Sequence, residues 1–250
     1  MAPAAMQVVE LRNYLLVEGA TADFIRYFEE HFLFSQRDEG MHPLGQFEVV
    51  GEPNRFVWIR GFDDMPARFR GLSGFYGGAF WEAHCSRANA MMREHHNVHL
   101  LRPLGPTSIL TGSLSLEDRA SEPPGTLRPD TGLVAVDFYR AAGALAPLVT
   151  FFEGRMQPAL VEQGHQVLGH FVAEPTPNDY PRLPVVQDPA LLVVVSAYRD
   201  HADYARLTTA WRMTTTARDD LPALLTADVT TLLLRPTARS VIRYQRPGRG

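Results

Sequence analysis

The chain has 250 residues, 45% of them hydrophobic, with a formal charge of −4; it can bury one large core or two of about 100 residues each. That charge leaves no electrostatic footprint for nucleic acid. The single cysteine, Cys85, offers no disulfide or thiolate pair, and none of the 24 basic residues is lysine, so Schiff-base chemistry is excluded.

Residues 8–16 alternate Val9, Leu11 and Asn13 with Glu10, Arg12 and Tyr14, the period of a strand. Thr21 is placed to cap a helix reaching about Arg37, with Phe24, Ile25, Phe28, Phe32 and Leu33 at helical spacing and Gly40 ending it. Residues 44–50 and 55–62, joined by Gly-Glu-Pro-Asn, form a hairpin. Asp63, Asp64 and Pro66 open a second helical region, in which Gly71, Gly74, Gly77 and Gly78 predict a flexible kink. Helical pattern resumes over 80–94, with His95 and His96 at its end, and a strand follows at 97–102.

Residues 105–132 are rich in Ser, Pro, Gly and Thr and are expected to be a linker, with a short extra strand possible at 108–116. The second half repeats the order: strand 133–140, helix about 146–163, strands 167–173 and 191–197, a helix from about Asp200, and a strand at 228–235. Between its two middle strands lies 174–189, carrying Pro175, Pro177, Pro181, Pro184 and Pro189, either a lid or binding loop or a surface insert. Residues 237–250 are basic and read as a solvated arm. The opening MAPAAMQ has no signal-peptide pattern and no apolar stretch reaches the length of a membrane span, so a cytoplasmic location is expected.

Leu-Leu-Arg-Pro occurs at 100–103 and again at 233–236; VELRNY at 9–14 aligns with VAVDFY at 134–139, and LGQF at 44–47 with LGHF at 168–171. One βαββαβ unit written twice is expected: an α+β chain of two ferredoxin-like domains, 6–104 and 133–236, packing sheet to sheet.

The strand Glu-Leu-Arg-x-Tyr at 10–14, LGQF at 44–47, the Gly-Glu-Pro-Asn turn, the Trp58 strand and the Phe80-Trp81 region together resemble the NIPSNAP family over nearly all of the first repeat. The resemblance implies the dimeric α+β barrel, whose two halves the repeats could supply. It does not imply one reaction: similar barrels are cofactor-free monooxygenases acting on quinols, ring-forming or isomerising enzymes, haem enzymes, and proteins without a settled activity.

On the first strand Glu10, Arg12 and Tyr14 share a face. If Val9 and Leu11 face the helices, that polar stripe faces the barrel interior or its rim, with Gln46, Glu48, Trp58 and Arg60, and with Asp137, Tyr139 and His170 from the second repeat. Candidate catalytic residues are Arg12 and Arg60 for an oxyanion and Glu48 and His170 for proton transfer; Tyr14, Trp58, Tyr76, Trp81 and Tyr139 are candidates for holding substrate. A purely structural reading stands beside this one, in which Arg12 pairs with Glu10, Glu48 or Asp137 to lock the halves together. His84, His95, His96 and His99 lack the spacing of a metal pair, and Cys85 is expected to be buried and inert.

The expected function is a small-molecule enzyme acting without organic cofactor or metal on an aromatic or conjugated metabolite, by oxygenation, cyclisation or isomerisation. The expected partners are that substrate and further copies in a homodimer or higher oligomer, with neither nucleic acid nor membrane. Alternatives are a non-enzymatic ligand-binding or interaction protein and a haem-binding barrel.

Overall fold

The computed structural model describes residues 6–105, 116–214 and 220–246. In chain order the strands and helices are β1 (Val8–Leu16), α1 (Thr21–Asp38), β2 (His42–Val49), β3 (Glu52–Phe62), α2 (Met65–Gly77), α3 (Ala79–Ala90), β4 (Met92–Pro103), β5 (Leu133–Arg140), α4 (Leu145–Phe151), α5 (Gln157–Glu162), β6 (Gln166–Ala173), β7 (Leu191–Tyr198), α6 (His201–Thr214) and β8 (Thr230–Pro236). A π-helical turn, Phe152–Met156, connects α4 to α5. The expected extra strand at 108–116 lies outside the described residues, apart from buried Leu116.

All eight strands close into one antiparallel barrel in the order β1-β3-β2-β8-β5-β7-β6-β4. Each half contributes four contiguous strands, and the halves are joined at two seams, β2 with β8 and β4 with β6. One chain thus leaves no open sheet edge around the barrel. No helix of the described residues is long and apolar enough to cross a membrane.

Local chemistry accounts for the elements. Gly40 adopts a φ of 77° just beyond α1, and Gly51 a φ of 83° in the tight turn between β2 and β3, a region where only glycine lacks a steric penalty. Asp64 caps α2, accepting a 2.6 Å hydrogen bond from the Ala67 N–H, with Pro66 in the first turn. The expected break is confined to Gly78, whose extended backbone separates α2 from α3, while α2 runs unbroken through Gly71 and Gly74. These glycines serve close packing instead, since a Cβ on Gly71 would lie 3.0 Å from the Glu39 carbonyl and one on Gly74 would overlap the Glu39 carboxylate.

Strand parity runs opposite to the sequence expectation. Val9 and Leu11 pack with Val57, Ile59, Val134, Val136, Val193 and Val195 in one buried cluster drawn from both halves, which fills the barrel. Glu10, Arg12 and Tyr14 therefore point outward, under the helices, where Tyr14 and Trp58 join Phe24, Phe28 and Phe32 of α1 and Leu72 and Phe75 of α2. An apolar barrel interior has no place for the guanidiniums of Arg12 and Arg60, whereas the helix side supplies polar partners for them.

Three further expectations are corrected. His95 and His96 stand on β4, since α3 ends at Ala90. Cys85 is half-buried rather than enclosed. The basic tail is not a solvated arm through residue 244: Ile242 enters the barrel cluster, and Arg239 and Arg243 are buried against backbone carbonyls, including those of Glu29, Ala238 and Ser240. Glu29 ties tail and linker to α1, accepting from Thr237 Oγ1 at 2.5 Å and the Gly125 N–H at 2.6 Å.

The proline-rich segment between β6 and β7 leaves its own half and covers the other. Val186 pairs with β4 beside its seam with β6, through Leu100 N–H to Val186 O (3.1 Å) and Val186 N–H to Val98 O (2.6 Å). Its Tyr180 is buried among the aromatic residues beneath α2. It is a strap across the first half's helix-side core.

Candidate functional site

The strand registers put the two halves in correspondence. Glu10 pairs with Arg60 and Arg12 with Trp58, which in turn pairs with Gln46. At the same places in the second half, Ala135 pairs with Ser196 and Asp137 with Val194, which pairs with His170. The first half therefore carries a glutamate, two arginines and a tryptophan where the second carries Ala135, Asp137, Ser196 and Val194. That difference in volume decides what each helix-side space can hold.

In the first half the space is filled. Glu10, wholly buried, accepts from Arg12 Nη1 at 2.7 Å, Arg60 Nε at 2.9 Å and Arg68 Nε at 2.8 Å. Burial alone would raise the Glu10 pKa, but the guanidiniums of Arg60, Arg12 and Arg68 more than reverse it and hold the carboxyl well below the usual range. Arg12 Nε donates to Tyr14 Oη at 2.7 Å, and Arg60 Nη1 donates to Gln36 Oε1 at 2.8 Å. The Trp58 ring lies between the two, 5.3 Å from the Arg12 guanidinium carbon and 4.9 Å from that of Arg60.

In the second half the same space is open: a cavity of about 520 Å³ lies between the sheet and α6, within the range of small-molecule sites. Asp137 and Tyr139 of β5 and Ser196 and Tyr198 of β7 form its floor, and Tyr204, Thr208 and Trp211 of α6 line it from above. Asp137 is enclosed by protein yet keeps part of its surface open to the cavity. Burial pushes its carboxyl up to about 6, against the opposing pull of a 2.5 Å hydrogen bond from Thr231 Oγ1. Burial likewise raises the phenols of Tyr139 and Tyr198, so both remain protonated donors at neutral pH, and lowers His165, leaving its ring neutral. His165 Nδ1 lies 3.0 Å from Tyr198 Oη. A carboxylate of raised basicity facing an aromatic, hydroxyl-lined cavity can accept a proton from a bound molecule.

Of the residues singled out from sequence, Arg12, Arg60, Tyr14 and Trp58 converge in the first half, and Tyr76 lies 6.0 Å from the Arg60 guanidinium carbon. Trp81 sits one layer farther out, against Phe32, Phe75 and Tyr76. Glu48 is not with them: it is half-buried on the barrel flank, 3.5 Å from Arg235 of β8 across the seam. His170 lies beside Phe152 under the π-turn, its Nε2 2.9 Å from Glu153, and does not line the cavity. Tyr139 does.

Two groups that the geometry brings forward are not singled out by the sequence. Arg68 stands on the apolar face of α2 with Met65, Leu72 and Phe75, and a charge inside a 3.6-residue apolar stripe was the available signal. Asp137 was seen only as one of the polar set. Its signal was the loss of cationic neighbours in the repeat alignment.

The NIPSNAP family model matches residues 9–105. No curated protein matches the chain. Among solved structures, the chain is similar to two proteins described as putative monooxygenases. One is from Lactobacillus acidophilus (TM-score 0.59, 11% identity, covering 96% of this chain and 100% of that one). The other is from Fusobacterium nucleatum (TM-score 0.62, 6% identity, 97% and 99%). A third is an anthrone oxidase-like protein (TM-score 0.55, 10% identity, 96% and 97%). At such identities the likeness is one of fold: an α+β chain closed into an eight-stranded barrel.

Proposed function

We propose that this chain, which carries a NIPSNAP domain at residues 9–105, is a small-molecule enzyme in which an aromatic or conjugated substrate loses a proton to Asp137 in the cavity beneath α6. The observation that carries this reading is the pairing of a carboxyl at about 6 with a 520 Å³ cavity lined by Tyr139, Tyr198, Tyr204 and Trp211. A base whose pKa lies near working pH is both available and strong enough to act. The phenol donors on the cavity floor are suited to stabilising the enolate or phenolate that deprotonation leaves behind.

The matching strand order of the halves, β4-β1-β3-β2 and β8-β5-β7-β6 read in one direction around the barrel, supports their origin as two ferredoxin-like repeats. In this reading the first copy has become a packed scaffold and the second has kept the pocket. Since one chain closes the barrel, association into a homodimer would add copies of a finished unit.

The names borne by the structural neighbours favour oxygenation over cyclisation or isomerisation. Anthrone is a suitable test substrate: loss of a ring C–H proton to Asp137 gives an anthrolate anion, and dioxygen then oxidises it to anthraquinone, with water as co-product. Oxygen uptake on addition of anthrone should exceed the buffer rate and rise as pH passes about 6. Asp137→Asn should return it to the buffer rate, and full activity in that variant would remove the assignment.

A further inference from the structure

We infer that the arginine cluster of the first half is a separate binding site for a small aromatic carboxylate, latched by Asp179 of the strap. Arg12, Arg60 and Arg68, each at most 2% exposed, are met by only two carboxylates among the described residues, Glu10 and Asp179. Their other polar partners, Tyr14, Gln36 and Asn178, are neutral. One cation is left over in a place where an uncompensated charge costs several kcal/mol.

Hydrogen bonding points the same way. Arg68 Nη2, Trp58 Nε1 and Gln46 Nε2 are buried donors with no hydrogen-bond partner among the described residues. Gln46 stands opposite Trp58, and Trp58 opposite Arg12, so these two side chains lie on the same face of the sheet as the cluster. Excess positive charge and unused N–H groups suit a monoanion, and the place that Tyr180 of the strap fills against Phe69 and Tyr76 suits a planar ring beside it.

The strap shows how such an anion would enter. Asp179 pairs with Arg68, and Asn178 accepts from the same Nη1 at 3.0 Å. Asp179 is 25% exposed while Arg68 is fully buried. It is thus the carboxylate at the solvent edge of the cluster, on a segment contributed by the other half of the chain. Tyr180 beside it rests against Phe69 and Tyr76 through ring contacts at 6.3 Å. An incoming carboxylate would displace the Asp179 carboxylate from Arg68, and the strap would lift by as much as that exchange requires.

Calorimetric titration of the full chain with sodium benzoate, and with benzamide as its uncharged counterpart, tests this. Benzoate should bind and benzamide should not. Asp179→Asn, which removes the internal competitor at the solvent edge, should bind benzoate at least tenfold more tightly. Arg68→Gln, shown to fold by a cooperative melt, should lose it. If Arg68→Gln does not fold, the Asp179→Asn comparison decides alone. The inference is overturned if benzoate fails to bind both wild type and Asp179→Asn, if Asp179→Asn binds no more tightly, if benzamide binds equally, or if folded Arg68→Gln binds unchanged.

Discussion

Asp137 and Arg12 occupy the same place in the two halves of one barrel, Arg12 opposite Trp58 and Asp137 opposite Val194. Arg12 is buried in a network that satisfies it. Asp137 faces an open cavity and accepts a hydrogen bond from the Thr231 hydroxyl. The same strand position thus carries a buried, paired cation in one half and, in the proposed function, the proton acceptor in the other.

An acceptor of this kind should be kept at some cost to stability. The folded pKa of Asp137 is raised from 3.8 to about 6. Its contribution therefore favours the folded state below the unfolded pKa and is lost as pH rises through about 6. Discounted for the solvent contact that the cavity allows, the penalty above that pH is about 1–2 kcal/mol. Asp137→Asn should melt a few degrees higher than wild type at pH 8 and no higher at pH 4, as measured by calorimetry.

Glu10 should behave in the opposite sense. Its folded pKa is depressed, so its contribution is present above the unfolded value of 4.5 and fades as pH falls below that value. Glu10→Gln should destabilise the chain at pH 7 by about 3–5 kcal/mol, because it leaves three buried guanidiniums with less compensation. Denaturant unfolding checks this; a loss under about 1 kcal/mol would mean that the arginines find other partners.

The difference in volume between the halves makes a third prediction. Ser196 holds on β7 the place that Arg60 holds on β3. Ser196→Leu should fill part of the cavity floor, leave the fold intact, and reduce turnover at least tenfold. Unchanged turnover would place the chemistry away from this floor.

Ile242 gives a fourth. It is 3% exposed and packs into the barrel cluster from the tail. Ile242→Ala should cost about 2–4 kcal/mol on chemical unfolding, whereas a loose arm would register no change.

The sequence carried most of the element order because periodicity, Gly40, the Asp64 cap and the paired Leu-Leu-Arg-Pro segments are local signals. The face on which the polar stripe lies was not local. Alternation places Glu10, Arg12 and Tyr14 together but does not say which side is the barrel, and only the apolar partners from the second half, Val134 and Val136, settle it. Likewise, Arg239 and Arg243 read as a basic arm because their partners are backbone carbonyls, which no side-chain pattern announces. The partners of Arg68 are remote as well, Glu10 58 positions away on β1 and Asp179 111 positions away on the strap, beyond the reach of any spacing rule.

The most direct test of the account is the pH dependence of substrate turnover in wild type and Asp137→Asn, followed by oxygen uptake with anthrone. The account predicts a wild-type rate that climbs through about pH 6 and a variant at the buffer rate throughout. A variant that keeps the wild-type rate and profile would contradict it.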